Sequence, residues 1–136
     1  MLKARNIMTQ SVYCVKPNTP VHEAMEILVE RNISGIPVVE EDMTLIAVIS
    51  EKDILRFNID LEVLVNKPVS DFMTQPVIFF EEDECILDVC KCLANNDFRR
   101  VPVTSGGRLV GVISRRDIIK IMLKAAHGHT KCVRPS

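Results

Sequence analysis

Two short turns carry the most concentrated chemistry in the chain: Ser50-Glu51-Lys52-Asp53 and Ser114-Arg115-Arg116-Asp117. In each, a hydroxyl precedes a carboxylate by three residues, with cationic side chains between. Ser at a helix N-cap followed three positions on by an acid is a capping-box pattern, so either turn can start a helix with no ligand involved. Lys52, Arg115 and Arg116 then fall in a first helical turn, where a cation opposes the helix dipole by ~0.3–1 kcal/mol. A bound anion nearby would offset that cost. Arg99-Arg100, just before Val101-Pro102, adds a second basic cluster. Its plainer reading is a solvated strand entrance paired with Asp97 or with a second copy of the chain.

Other reactive residues form no constellation. Cys85, Cys90 and Cys92 share one segment, but spacings of five and two do not converge on one metal, and Cys90 falls on an apolar stripe. The tail His127-Gly128-His129-Thr130-Lys131-Cys132 offers three donors without a fourth and reads as a solvated tail. His22 falls on a polar helix side, and no Ser-His-Asp or Cys-His set has positional support. Gly106-Gly107 lacks the surroundings of a phosphate-binding loop and reads as a turn.

Composition bounds the partners. With 17 Lys+Arg against 18 Asp+Glu the charges nearly cancel. That argues against a broadly basic nucleic-acid binder or a polybasic membrane binder. One Tyr, five Phe and no Trp leave few stacking platforms for single strands. No apolar run reaches the ~20 residues of a membrane span, and MLKARNIMTQSVYCV has no signal-peptide core. Five cysteines without a C-x-x-C spacing suit reduced thiols in a cytosol, so a cytoplasmic location is expected.

The turns sit in a duplicated frame. Ile7-Met8-Thr9-Gln10 recurs as Phe72-Met73-Thr74-Gln75, and Ile36-Pro37-Val38 as Val101-Pro102-Val103, both at an offset of 65 residues. Leu45 to Ile54 recurs as Leu109 to Ile118 at an offset of 64. The residue lost lies where Glu40 to Met43 faces Ser105-Gly106-Gly107, a hairpin turn that tolerates a length change. Val12 to Val15 and Val77 to Phe80 are β-branched or aromatic runs and predict strands. Thr19-Pro20 predicts a helix start with Thr as cap and Pro at the first helical position. Val21, Ala24, Met25, Leu28 and Val29 form its apolar stripe, matched by Ile86, Val89, Cys90, Leu93 and Ala94. Two strands joined by a tight turn follow, with Pro37 and Pro102 at a strand start or sheet edge. Met25 and Met122 fit core stripes. Each copy therefore reads β-α-β-β-α, a mixed α+β (α/β) class. The expected division is 1–57 for the first repeat, 58–69 for a linker, 70–124 for the second repeat and 125–136 for a flexible tail. A unit of this size cannot hide its sheet alone, so the copies should pack together.

This order, with Ser-x-x-Asp after the last strand and an apolar-Pro-Val step, resembles the cystathionine β-synthase (CBS) domain. The duplication resembles a CBS pair, or Bateman module, spanning about residues 3–124. The resemblance implies pseudo-twofold packing of the repeats, two clefts for adenosine-containing ligands (AMP, ADP, ATP or S-adenosylmethionine) and assembly into flat homodimers. It places a ribose diol on Asp53 and Asp117 and a phosphate near Ser50 and Ser114. Each cleft combines the Ser-x-x-Asp of one repeat with the first strand and pre-Pro segment of the other. Cleft one then joins Ser50, Lys52 and Asp53 to Val77 and Ile78 and to Phe98, Arg99 and Arg100. Cleft two joins Ser114, Arg115, Arg116 and Asp117 to Met8 and Tyr13 and to Ile33, Ser34 and Gly35. Arg99, Arg100 and Lys52 favour cleft one for a phosphate-bearing ligand.

The function implied is that of a non-catalytic energy or methyl-donor sensor without a catalytic cofactor. AMP is its first-choice regulatory ligand, and it acts on an unknown regulated protein. The alternative is a dimerising interaction module with no bound nucleotide. An enzyme lacks an assembled constellation, and a nucleic-acid role would need the basic residues gathered on one face.

Overall fold

The computed structural model describes residues 1–57 and 60–126, so the His127–Cys132 tail and part of the linker expectation lie outside the described residues. In chain order the elements are α1 (Ala4–Ile7), α2 (Val21–Arg31), β1 (Gly35–Val39), β2 (Leu45–Ser50), α3 (Glu51–Leu55), α4 (Leu61–Leu64), β3 (Phe80–Glu81), α5 (Ile86–Asn95), β4 (Arg100–Ser105), β5 (Arg108–Ser114) and α6 (Arg115–Ala125). A 3-10 turn covers Val69–Asp71. β1 and β2 form an antiparallel hairpin. β4 and β5 form its counterpart, to which β3 adds in parallel.

Local signals account for most of these boundaries. Gly106 and Gly107 both take positive φ, 59° and 86°, the backbone a tight hairpin asks for. In the first repeat Met43 takes a φ of 74°, and the Asp42 carboxylate accepts from the Thr44 N–H to hold the longer turn. α2 ends at Asn32 in the left-handed region, its N–H donating to the Leu28 carbonyl. Pro102 precedes the part of β4 that pairs with β3, at Val103 and Thr104, so its missing N–H leaves no gap in that ladder.

Four sequence expectations need correction. Val12–Cys14 and Val77–Phe79 belong to no strand; only Val15 and Phe80–Glu81 pair, with β1 and β4 respectively. Pro20, not Thr19, caps α2, because Pro20 is still extended (ψ 137°). The Thr19 hydroxyl instead accepts from the Lys16 N–H, while the first α2 amides, Val21 and His22, donate to the Lys67 and Val65 carbonyls. Val29 is 80% exposed, and Ala94 is exposed too, so each apolar stripe is narrower than its spacing suggests. Met122 lies on the surface rather than in a core stripe, whereas Met25 packs against the first core.

There are two cores, one per repeat, and each borrows from the other half of the chain. The first gathers Val21, Ala24 and Leu28 with Ile36, Val38 and Ile49, and adds Leu64, Val69 and Phe72 from the segment leading into the second repeat. The Phe72 ring packs on Phe57 with centroids 4.3 Å apart. The second gathers Ile86, Val89 and Leu93 with Val101, Val103 and Ile113, and adds Ala4 from α1. The Ala4 and Arg5 amides donate to the Glu84 and Glu82 carbonyls.

The repeats meet through equivalent backbone bonds. Thr9 exchanges two N–H to carbonyl bonds with Val112 (2.9 and 3.0 Å), and Thr74 does the same with Val48 (2.8 and 3.3 Å). The hairpin tips join likewise: the Leu45 N–H donates to the Gly107 carbonyl and the Leu109 N–H to the Met43 carbonyl. Residues at matching positions in the two copies thus swap partners, the pattern of a pseudo-twofold axis.

Candidate functional site

The hairpins aim both Ser-x-x-Asp turns at the repeat interface, because β2 and β5 end there at Ser50 and Ser114. Both turns form full capping boxes. The Asp53 and Asp117 amides donate to the Ser50 and Ser114 hydroxyl oxygens (3.2 Å each), and the Ser50 and Ser114 amides donate to the carboxylates (2.8 Å each). The Glu51 and Arg115 amides are also bonded, to the carbonyls of Ser34 and Arg99. Two of the first three amides in each turn are therefore spent within the protein. Holding an anion falls mainly to side chains.

The two carboxylates differ. Asp53 uses both oxygens: Oδ2 accepts from the Ser50 amide and Oδ1 accepts from the Thr74 hydroxyl at 2.7 Å. Asp117 uses only Oδ2, which accepts from the Ser114 amide and hydroxyl. Thr9, the counterpart of Thr74, makes no such bond, so Asp117 Oδ1 is open among the described residues.

A cleft of about 350 Å³ opens over Asp53 and one of about 320 Å³ over Asp117, both within the range of small-ligand sites. Cleft one brings Ser50, Lys52 and Asp53 against Val77, Ile78, Phe98 and Arg100, as the sequence predicts. Thr74 and Arg56 join them. Cleft two brings Ser114 and Asp117 against Tyr13, Ile33 and Gly35, again as predicted, and adds Thr9 and Arg31. The Arg31 guanidinium sits over the Tyr13 ring, 4.6 Å from its centroid. Val12–Cys14 and Val77–Phe79 run along the clefts without a sheet partner, which leaves backbone donors and acceptors for a ligand's polar edge.

Five expected residues lie elsewhere. Met8 packs behind β5 against Gly111, where even a Cβ would come within 2.6 Å of its sulfur. Ser34 and Arg99 face a narrow channel between the clefts rather than either cleft. The Arg115 guanidinium turns outward to donate to the Asn96 carbonyl at 2.7 Å. Arg116 is exposed and lines neither cleft. The cations of cleft two are thus Arg31 and Arg100. Thr9 and Thr74 were legible, since both stand in the repeated Met-Thr-Gln step. Arg56 follows Asp53 by one helical turn, and Arg31 had no sequence signal.

Arg100 lines both clefts and the channel that joins them. Burial pulls its pKa below the ordinary arginine value, while the nearby Asp117 carboxylate pulls the other way. Among the described residues no cluster of three or more His, Cys, Asp or Glu could hold a metal ion. Nor is any helix among them long and apolar enough to cross a membrane.

With this geometry in place, comparison with known proteins is decisive. The sequence model of the CBS domain matches residues 4–60 and again 69–124. The chain belongs to the CBS-domain family. Its tandem CBS repeats form the α+β pair that the resemblance implied. Protein MJ1225 of Methanocaldococcus jannaschii is 37% identical over 118 residues, which cover 87% of this chain and 42% of that protein. This CBS pair therefore spans less than half the length of that relative. Among solved structures, CBSX2 of Arabidopsis thaliana in complex with AMP superposes with a TM-score of 0.82 at 30% identity, covering 93% of this chain and all of the other. The CBS pair of protein MJ0100, in complex with 5′-methylthioadenosine and S-adenosyl-L-methionine, superposes with a TM-score of 0.74 at 25% identity, covering 92% and 98%.

Proposed function

We propose that this CBS pair is a non-catalytic regulatory module that binds an adenosine-containing ligand between its repeats and passes occupancy to a partner protein. The observation that carries the reading is Asp117. Its carboxylate is fixed through one oxygen by the Ser114 turn, and the other oxygen is left open in a cleft walled by Tyr13 and Ile33. A fixed carboxylate accepts from both hydroxyls of a ribose, apolar walls suit adenine, and unpaired backbone suits its polar edge. The adenosine ligands of the similar CBSX2 and MJ0100 structures support the same class.

Within that class, AMP is the first choice, because Lys52, Arg56 and Arg100 around cleft one match a small anionic tail. Both repeats wall each cleft, so a ligand preferring one relative orientation shifts the pair toward it. A homodimer through the helical faces would carry that shift outward. Calorimetry with AMP, ADP, ATP and S-adenosylmethionine tests the reading: heat of binding is expected from at least one, and silence from all four at millimolar concentration would refute it.

A further inference from the structure

One pair of equivalent positions stands between the two clefts. Gly35 and Arg100 are equivalents, each opening the strand that precedes the apolar-Pro-Val step. Both face the central channel, where Pro37 matches Pro102 and Val48 matches Val112. A symmetric pair would place one side chain at each cleft. Here one copy has no side chain, and Arg100 in the other lines both clefts as well as the channel. Arg100 is half-buried, yet among the described residues it makes no ion pair and its side chain makes no hydrogen bond. The Asp117 carboxylate acts on it without a contact pair, so the partly desolvated guanidinium still has donors to offer an added anion.

We infer that Arg100 is a single phosphate anchor shared by both clefts, so that a phosphate-bearing ligand in one weakens binding of a second in the other. This rests on the adenosine-ligand reading above and adds a coupling between its sites. The first phosphate neutralises the guanidinium. A second then approaches that first anion across a narrow channel, with its shared cation already engaged and little water between to screen the repulsion. Lys52 and Arg56 remain to cleft one and Arg31 alone to cleft two, so cleft one fills first. A ligand without phosphate makes no demand on Arg100, so two such ligands bind independently.

Titration calorimetry of the full chain with AMP and with adenosine tests this. Two AMP sites split by about tenfold, inside the usual 5–150-fold range of site coupling, are expected, with a smaller split for adenosine. Arg100→Gln should weaken the tighter AMP site by about tenfold and shrink the split to the difference set by Lys52, Arg56 and Arg31, leaving adenosine unchanged. Gly35→Arg supplies the missing counterpart and should bring the two AMP sites together. Its Cβ would meet neighbours at 3.5 Å or more, an ordinary contact, so the backbone there admits a side chain's first carbon. Equal, independent AMP sites in the wild type, or a split undiminished by Arg100→Gln in a protein with unchanged melting temperature, would overturn the shared anchor and leave the adenosine reading standing. Absence of binding by AMP and adenosine alike would remove both.

Discussion

Asp53 and Asp117 hold equivalent places in the two repeats, yet only Asp117 keeps an oxygen free. Asp117→Ala should cost cleft two at least about tenfold in affinity for AMP and for adenosine alike, since the contact is to the ribose. It should cost the fold about 1 kcal/mol through the lost capping box. Asp53→Ala should cost cleft one less affinity, since both its oxygens are already engaged, and should destabilise the fold by roughly another 1 kcal/mol. Its Oδ1 also accepts from Thr74 and so ties the two repeats together. Calorimetry reads the first effect and thermal melting the second; equal losses of stability in the two variants would contradict this account. The sequence made both turns legible, because a capping box is written within four consecutive residues. It could not say which carboxylate keeps an oxygen free. That depends on whether Thr9 or Thr74, far off in sequence, reaches across the interface. Nor could it see that Arg115 leaves the cleft for the Asn96 carbonyl, a choice made by a long, flexible side chain among non-local acceptors.

At the scale of elements, the second half of the hairpins and the α2 and α5 helices followed from periodicity, which reports burial directly. The first strands did not survive as strands. A β-branched run satisfies strand propensity, but ladder partners come from elsewhere, and beside Val12–Cys14 and Val77–Phe79 the interface leaves clefts instead. The segment read as a linker also proved structural where it is described, with α4 placing Leu64 in the first core and the following 3-10 turn placing Val69 there. Phe72, just beyond it, is 6% exposed and packs on Phe57. Phe72→Ala should therefore destabilise the first repeat by about 3–5 kcal/mol, although Phe72 stands at the start of the second. Chemical denaturation gives the size, and amide exchange in β1 and β2 gives the location. A loss confined to the second repeat would show that the cores do not exchange segments.

For the whole molecule, α1 packs on the second repeat and residues 64–72 on the first, so neither repeat is complete without the other. Apolar side chains nevertheless remain outside: Leu87, Ile119, Met122 and Leu123 are all more than half exposed, and Ile119 and Met122 line a groove between α5 and α6. A second copy of the chain is the proposed cover. Met122→Lys should then shift the sedimentation coefficient from dimer to monomer while leaving melting of the isolated chain nearly unchanged. A wild type that is monomeric at high micromolar concentration would reject the dimer. What the sequence determined by itself was the duplication, the order of elements and the two Ser-x-x-Asp turns. Each is encoded by residues a few positions apart, through helical and strand periodicity and through capping. The tertiary structure alone decided that Arg100 lines both clefts, that Thr74 occupies one carboxylate and that the repeats trade segments. Those outcomes depend on which distant groups meet at a pseudo-twofold interface, and local pattern carries no record of such meetings.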